Sequence, residues 1–399
     1  MALGGLGSRA RALEDRLPEA PYAAIERGRW AITAHRAHRI DPPASRSRRS
    51  GHAHVLIAPA NYAGQGAAWA RALERHVPGV SAEAWMHAGD TTFAFDADRV
   101  LPREILGKGR AWQQRAFDAV VESFTHVVIE SGRPLFGALH GYDAAREAVA
   151  LTEAGVRVAM LWHGTDIRLP SREAAGNPWS PFRDPDRSAH VAALEARASR
   201  NARLARRSGV PQLYSTPDLD AHVPDGTWLP VVVEPSPWVS LPPPEDDGPP
   251  HVLHLPSNAW IKGTGLIGTA LDELVRDRTI VLDAPGRVAP QAVPTLVSRA
   301  HVVLDQFRLN LYGVAAVEAM LAQRPVVALA GTALRTAVRE LTAVELPIVS
   351  ATPATLAGTL RDLAAHRVPD HARDPRSFAL RWHDGAESAR RLAAALSLH

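Results

Sequence analysis

The chain alternates short apolar runs with longer amphipathic stretches and polar, turn-forming loops. The apolar runs are too short for helices and are bounded by polar residues, glycine or proline. These properties are typical of buried strands in a parallel sheet. The pattern predicts strands at residues 54–58, 81–85, 126–130, 157–162, 213–216, 251–255, 279–283, 301–304 and 325–330.

The stretches between these runs place their apolar residues at helical spacing. They predict helices at residues 67–76, 189–208, 290–299, 334–341 and 352–365. Strands that alternate with helices form an open, doubly wound α/β sheet. Such sheets bind ligands beside the carboxyl ends of their strands, so functional residues are expected in the loops at that edge.

The length of 399 residues predicts two domains of ordinary size. The proline-rich stretch 236–250 is predicted to be an extended, semi-rigid linker between them. We therefore predict a first domain over residues 51–235 and a second over residues 251–375. Residues 376–399 are expected to form a final helix.

Composition narrows the possible functions. Hydrophobic residues make up 46% of the chain, and the net charge of +3 gives no case for nucleic-acid binding. The absence of cysteine excludes disulfides, thiolate metal sites and cysteine nucleophiles. No apolar run of about 18 residues and no secretory signal is visible, so a cytoplasmic location is expected.

Lysine is rare in this chain. Of the 45 basic residues, only Lys108 and Lys262 are lysines. A lysine offers a compact point charge where an arginine offers a flat fork. A lysine kept against such a bias is therefore a candidate for specific chemistry.

Residues 1–50 are predicted to form a basic helical extension, with ten arginines against five acidic residues. One hypothesis is a peripheral contact with anionic lipid at the inner face of the membrane, aided by Tyr22 and Trp30. The alternative is a solvated helical extension that covers the first domain.

One stretch, residues 301–331, carries the clearest functional pattern. It predicts a strand, a loop, a helix that Gly313 opens, and a further strand after Pro325. A helix N-terminus that follows a strand offers free backbone N–H groups, which favour phosphate. The stretch therefore predicts a phosphate-binding edge.

Part of this stretch, YGVAAVEAMLAQRPVVA, resembles the donor-site signature of glycosyltransferase family 4. That family comprises retaining enzymes with the GT-B fold, in which two Rossmann-like domains face each other across a cleft. The resemblance implies this architecture for residues 51–399, with the final helix crossing back onto the first domain. It leaves residues 1–50 outside.

The resemblance assigns donor-binding roles. Glu318 matches the glutamate that holds the nucleotide ribose, and Tyr312 and Gly313 match the aromatic-glycine pair before it. The glutamate that touches the donor sugar in the family is replaced by Asn310. An asparagine donates and accepts hydrogen bonds but supplies no charge, so the sugar contact is expected to differ.

The same resemblance places a lysine followed by glycine at the donor pyrophosphate, a role that falls on Lys262. A helix starts at this point, with Thr264 expected to cap it, and its dipole would add to the lysine's charge. The family's companion arginine is missing a few residues earlier. Arg308, in the loop before Asn310, is the alternative source of a second cation.

The first domain supplies candidates for the acceptor side. Gly64 and Gly66 lie in a loop after the first strand, where the family binds donor phosphates or acceptor, although a plain turn explains them equally well. Glu130 and Arg133 follow the strand at 126–130 on the ligand side. A local ion pair between them is the alternative.

His163 follows the strand at 157–162. The family often keeps a histidine at such a strand end, close to the transferred sugar, so the resemblance implies a catalytic role for His163. Asp166 is expected to orient its ring. A structural histidine is the alternative. The proline-rich segment 168–188 is longer than ordinary connections and is expected to shape the acceptor site.

These patterns lead to the hypothesis of a retaining glycosyltransferase that moves a sugar from a nucleotide-diphosphate sugar to a hydroxyl acceptor, in the synthesis of a glycan or glycoconjugate. No cofactor other than the donor and no metal ion is expected, because no metal-binding motif is seen at the donor strand. A nucleotide-sugar or glycan-binding protein that does not transfer is the alternative, motivated by Asn310. An epimerase acting on the nucleotide sugar is a third possibility that would require more carboxylates.

Overall fold

The computed structural model describes residues 52–88, 95–102, 105, 109–245, 248–286 and 288–398. The predicted basic extension, residues 1–50, and Lys108 lie outside the described residues. Within the described ranges, no helix is both long enough and apolar enough to cross a bilayer.

The first domain is built on a parallel sheet with strand order β3-β2-β1-β4-β5-β6-β7. Its strands are β1 (Ala53–Ala58), β2 (Val80–His87), β3 (Arg99–Leu101), β4 (His126–Glu130), β5 (Arg157–Trp162), β6 (Gln212–Tyr214) and β7 (Thr227–Trp228). Its helices are α1 (Gln65–His76), α2 (Arg110–Ser123), α3 (Ala144–Glu153), α4 (Pro170–Gly176) and α5 (Ser188–Ser208). A short helix, α6 (Ser236–Val239), lies at the start of the proline-rich linker.

The second domain has a smaller parallel sheet with strand order β12-β11-β10-β8-β9. Its strands are β8 (His251–His254), β9 (Val281–Asp283), β10 (Val302–Leu304), β11 (Val326–Ala328) and β12 (Ile348–Ser350). The helices that follow are α7 (Ala259–Lys262), α8 (Thr264–Arg276), α9 (Val293–Arg299), α10 (Val314–Leu321), α11 (Thr332–Thr342), α12 (Leu356–Ala364), α13 (Pro375–His383) and α14 (Ala386–Leu396).

Both faces of each sheet are covered, which explains why the strands read as continuous apolar runs. Along β1, Val55 and Ile57 pack with α1 and α14, whereas Leu56 packs in the cluster on the opposite face. The cluster that contains Leu56 also includes buried residues on one face of the second domain's sheet. The two domains therefore share a buried apolar core, to which α13 contributes Phe378 and Trp382.

The strands were largely predictable from their apolar runs. The bounds of β4 and β5 match the predicted ones, and β1 differs by one residue. Strands β3, β7 and β12, each of two or three residues, were not predicted.

Two local predictions were wrong. The predicted single final helix is two helices, α13 and α14, broken at Gly385, which has φ 104° and whose Cβ, if present, would lie 3.0 Å from the Cβ of Ala72. Thr264 does not cap α8. Gly263 takes the cap position with φ 80°, and the Thr264 hydroxyl instead lies 2.9 Å from His254 Nε2.

Candidate functional site

Five of the twelve predicted site residues fall in two clusters, one in each domain, near the loops that follow the parallel strands. The donor cluster comprises Lys262, Asp305, Gly313 and Glu318 in the second domain. The acceptor cluster comprises Tyr62, Glu130 and His163 in the first domain. Each lies where a strand ends and the chain turns toward a helix, the position at which α/β sheets bind ligands.

Lys262 is held at the end of α7 by a tightly packed turn. The Asn258 side chain caps α7 by accepting hydrogen bonds from the backbone N–H groups of Trp260 and Ile261. Gly263 then turns the chain with a positive φ, and a Cβ there would lie 2.8 Å from the Cγ atom of Arg308. Only glycine fits this position without displacement, which fixes where the Lys262 ammonium group starts.

Asp305 completes the donor cluster and was missed by the sequence analysis. It directly follows β10, and its side chain is fully buried. One carboxylate oxygen accepts a hydrogen bond from Lys262 Nζ, and the other accepts from the Gly313 N–H at 3.1 Å. Its position at a strand's carboxyl end was the available signal, and the same signal did single out Glu130.

Glu318 projects from α10 toward Lys262 and Asp305. Burial raises the pKa of Glu318 to about 8, the charge of Lys262 opposes this shift, and the charge of Asp305 adds to it. The carboxyl is therefore largely protonated at neutral pH. The structure thus places Lys262 and Glu318 close enough to interact electrostatically.

Asn310 and Arg308 lie beside this cluster but are engaged elsewhere. The Asn310 side-chain oxygen accepts a hydrogen bond from the Gly331 N–H at 2.7 Å, which ties the loop after β10 to the start of α11. The Arg308 guanidinium points to the first domain, where its Nε donates to the Trp179 carbonyl at 3.2 Å. These contacts engage the group that was predicted as the second pyrophosphate cation, and that role stays a prediction.

Tyr312 turns away from the donor cluster. Its side chain is 1% exposed, and its hydroxyl donates to His383 Nε2 at 3.1 Å. The other ring nitrogen of His383 donates to the Val231 carbonyl at 2.8 Å. Burial lowers the pKa of His383 to about 4, so this ring is neutral. The Tyr312 side chain therefore links α10 to α13 and to the first domain and does not face a ligand.

In the acceptor cluster, Glu130 holds the ring of His163. The Glu130 side chain is fully buried; one oxygen accepts from the backbone N–H groups of Ala60 and Asn61, and the other lies 3.1 Å from His163 Nε2. Because a carboxylate oxygen accepts, the ring proton lies on Nε2. Among the described residues, Nδ1 of His163 has no hydrogen-bond partner.

The expected partner of the ring, Asp166, serves a different purpose. Its carboxylate accepts from the backbone N–H groups of His163 and Gly164, the latter at 2.6 Å. Asp166 therefore shapes the turn after β5, and the expectation that it orients the imidazole was wrong. Glu130 performs that orientation because β4 and β5 are adjacent and parallel, which places their carboxyl ends side by side.

The loop between β1 and α1 contributes Tyr62 to the acceptor cluster. Gly64 has φ 73°, and a Cβ on Gly66 would lie 3.2 Å from the side-chain oxygen of Asn61, so both glycines permit a close-packed turn. The half-buried ring of Tyr62 meets the His163 ring edge-on at 5.1 Å. The Arg133 guanidinium lies 5.3 Å from the Tyr62 ring, and Glu130 pairs with His163 in place of the suggested ion pair with Arg133.

Residues 170–187, here called the clasp segment, extend from the first domain to the second. Phe182 of this segment packs against Leu309 and Leu311 of the second domain. Asn177 donates to the Arg308 carbonyl at 2.8 Å, and the Trp260 indole donates to Asp184 at 2.9 Å. The clasp segment therefore contacts the second domain beside the loop that carries Asn310.

The fold resembles several solved structures. Anabaena HepE in complex with UDP and glucose matches with a TM-score of 0.53 at 13% identity, over 87% of this chain and 100% of that one. Sucrose-phosphate synthase from Thermosynechococcus elongatus matches at 0.53 and 13%, over 86% and 98%. A glycosyltransferase from Rickettsia africae matches at 0.54 and 10%, over 88% and 99%.

No protein-family model matches the sequence, and no curated protein does. At identities of 10–13%, the structural likeness shows the fold. The chain has the GT-B fold, and the predicted α/β class with two parallel, Rossmann-like sheets is confirmed.

Proposed function

We propose that the protein is a retaining glycosyltransferase that transfers a sugar from a nucleotide-diphosphate sugar to a hydroxyl acceptor. The observation that supports this most is the grouping of Lys262, the N-terminus of α10 and Glu318 at the ligand-binding edge of the second sheet. The GT-B fold adds support, because its neighbours include HepE, which was solved with UDP and with UDP-glucose.

On the donor side, the leaving group is a nucleoside diphosphate, and negative charge builds up on its pyrophosphate as the glycosidic bond breaks. The Lys262 ammonium group and the free N–H groups at the start of α10 stabilise that charge. The protonated carboxyl of Glu318 is able to donate a hydrogen bond to a ribose hydroxyl. These groups supply positive charge without a metal ion, so we propose a metal-independent reaction in which the donor is the only small molecule required.

On the acceptor side, His163 is the group that contacts the reacting sugar or the incoming hydroxyl. Glu130 fixes the proton on Nε2, which leaves Nδ1 to accept a hydrogen bond. Retention is proposed to occur by attack on the same face as the departing diphosphate, as in the family that the sequence resembles. Asn310 is proposed to contact the donor sugar through its amide nitrogen.

The acceptor is proposed to be a saccharide or another hydroxyl compound of glycan or glycoconjugate synthesis, and the site of action the cytoplasm. Residues 1–50 are proposed to add a peripheral contact with the inner face of a membrane, because they carry a net positive charge and aromatic residues.

The test is a transfer assay with a panel of nucleotide sugars, UDP-glucose first, scored by the release of nucleoside diphosphate. Wild type is compared with Lys262→Ala and with Arg339→Ala, which removes an exposed cation of α11. We expect release by wild type and by Arg339→Ala and a large loss in Lys262→Ala. Equal release by all three proteins would contradict the proposal, and the anomeric configuration of the product decides retention.

A binding protein that does not transfer is the second candidate. It is motivated by Asn310, whose side-chain oxygen is already committed to the Gly331 N–H. This candidate predicts thermal stabilisation by a nucleotide sugar with no diphosphate release under any acceptor. The same panel therefore separates the two functions.

A further inference from the structure

Asp305 occupies an unusual position at the donor cluster. It is fully buried at the end of a central strand, yet both of its carboxylate oxygens bind groups that face the ligand edge. These groups are the Lys262 ammonium and the backbone N–H of Gly313, which starts α10. Forty-three residues separate Asp305 from Lys262 in the sequence, so the pairing depends on the folded domain.

We propose that Asp305 is a positioning residue that holds the Lys262 ammonium group and the N-terminus of α10 at the spacing that a pyrophosphate requires. This inference rests on the proposed function, because it concerns the same donor site. It adds a residue that the family signature does not contain and defines how that residue acts.

The alternative is that Asp305 competes with the donor and is displaced when a pyrophosphate binds. Burial argues against displacement. A carboxylate without solvent exposure that loses its cation is strongly destabilised, so Asp305 keeps its partners when the donor arrives. Lysine has three N–H donors, and one bond to Asp305 leaves two for phosphate oxygens. The Lys262 group therefore binds both carboxylate and pyrophosphate.

Asp305 can position the donor site because its carboxylate binds both Lys262 and the Gly313 N–H. The Lys262 ammonium ends a flexible four-carbon chain, which without a fixed partner samples many conformations. Gly313 N–H is one of the helix-terminal donors that the helix itself leaves unsatisfied. By binding both, the carboxylate fixes the turn after α7 relative to the start of α10, and the N–H groups of Val314 and Ala315 remain for the ligand.

The experiment is a double-mutant cycle read out by calorimetric binding of inorganic pyrophosphate, which requires neither the correct base nor sugar transfer. The proteins are wild type, Asp305→Asn, Lys262→Ala and the double variant. Asp283→Asn serves as the matched control, because Asp283 also lies at the end of a strand of this sheet and pairs with a basic side chain, His251.

We expect Asp305→Asn to weaken pyrophosphate binding about tenfold in the wild-type background and less than about twofold in the Lys262→Ala background. Asp283→Asn should leave the affinity unchanged. In the transfer assay, kcat should fall more than the donor KM rises, because the lysine charge matters most as the diphosphate leaves.

Three results would overturn the inference. Tighter pyrophosphate binding in Asp305→Asn would show that Asp305 competes with the ligand. Equal losses of affinity in the wild-type and Lys262→Ala backgrounds would show a general structural role. Unchanged affinity would show that Asp305 plays no part in pyrophosphate binding. If Asp305→Asn does not fold, Asp305→Glu is used instead, because it retains the charge but shifts it by one methylene. We expect it to bind pyrophosphate severalfold more weakly than wild type. Unchanged affinity in the folded Asp305→Glu variant would again overturn the inference. If wild type transfers sugar and Asp305→Asn changes neither pyrophosphate binding nor transfer, only this inference is contradicted. If wild type binds pyrophosphate and the Asp305 effect is seen but no sugar is transferred, only the proposed function is contradicted.

Discussion

The two domains hold their candidate functional side chains in the same way. In the first, the buried carboxylate of Glu130 at the end of β4 binds two backbone N–H groups and the ring of His163. In the second, the buried carboxylate of Asp305 after β10 binds one backbone N–H group and Lys262. Both carboxylates are 0% exposed, while His163 and Lys262 are 10% and 12% exposed.

The difference lies in what each carboxylate holds. Glu130 holds the imidazole of His163, which the aromatic rings of Tyr62 and Trp69 also contact. Asp305 holds an ammonium group next to a helix N-terminus. The arrangement around His163 suits an acceptor hydroxyl group that loses a proton. The arrangement around Lys262 suits a leaving diphosphate that gains negative charge. A buried carboxylate at a strand end therefore supports different chemistry in the two domains, because it binds a different side chain in each.

Removal of the lysine should have the largest effect. We expect Lys262→Ala to lower kcat/KM for the donor by about 10²–10³-fold, because a preorganised donor to the developing charge is lost. The measurement is steady-state kinetics with the best donor of the panel, and Arg339→Ala is the control. A loss below about threefold would show that the ammonium group does not meet the leaving diphosphate.

A smaller loss is expected when the imidazole loses its orientation. In Glu130→Gln, the amide oxygen still accepts from the backbone, but the amide nitrogen faces His163 and favours the ring proton on Nδ1. We expect kcat to fall on the order of 10–10²-fold, with little further change in a His163→Ala background. If Glu130→Gln reduces activity equally with and without His163, the carboxylate does not act through the ring.

The third effect depends on pH. Because burial raises the pKa of Glu318 above its usual value of 4.5 to about 8, its contribution to stability is fully present below pH 4.5 and is lost as pH rises through about 8. Over the same upper range the ionised carboxylate repels the diphosphate, so the donor KM should rise severalfold between about pH 7 and 9. The melting temperature and the donor KM are measured as functions of pH in wild type and in Glu318→Gln. If the variant shows the same pH dependence as wild type, a group other than Glu318 is responsible for it.

The replacement of Asn310 should have the smallest effect on rate but should change selectivity. Asn310→Glu restores the side chain found in the related family and introduces a charge beside the donor sugar. We expect the ratio of kcat/KM between two donor sugars to shift by a few-fold, since a single hydrogen bond contributes about 0.5–1.5 kcal/mol net. An unchanged ratio across the panel would mean that Asn310 does not touch the sugar.

Much of the architecture could be predicted from local pattern. The strands that became β1, β4 and β5 are continuous apolar runs because both faces of a parallel sheet are covered, and such runs are visible without any knowledge of the fold. Lys262 and Glu318 were singled out because each belongs to a short segment that resembles a known signature, and their roles at the donor stay predictions. Strands β3, β7 and β12 were not predicted.

The partners of the functional groups were not predictable in the same way. Asp166, three residues from His163, was the expected orienter, but the ring is bound by Glu130, 33 residues away. Arg308 was expected at the pyrophosphate, but its guanidinium binds the clasp segment 129 residues away. Tyr312 matches the signature, but its hydroxyl binds His383 in the buried core.

The sequence by itself determined which segments form strands and helices and which loops reach the ligand edge, because periodic burial and backbone hydrogen bonding act over a few residues. The tertiary structure decided which carboxylate binds which cation or ring, because parallel strands bring together the ends of segments that are distant in the chain. Asp305 shows this most clearly: its role follows from a neighbour that only the packing of β10 beside β8 provides.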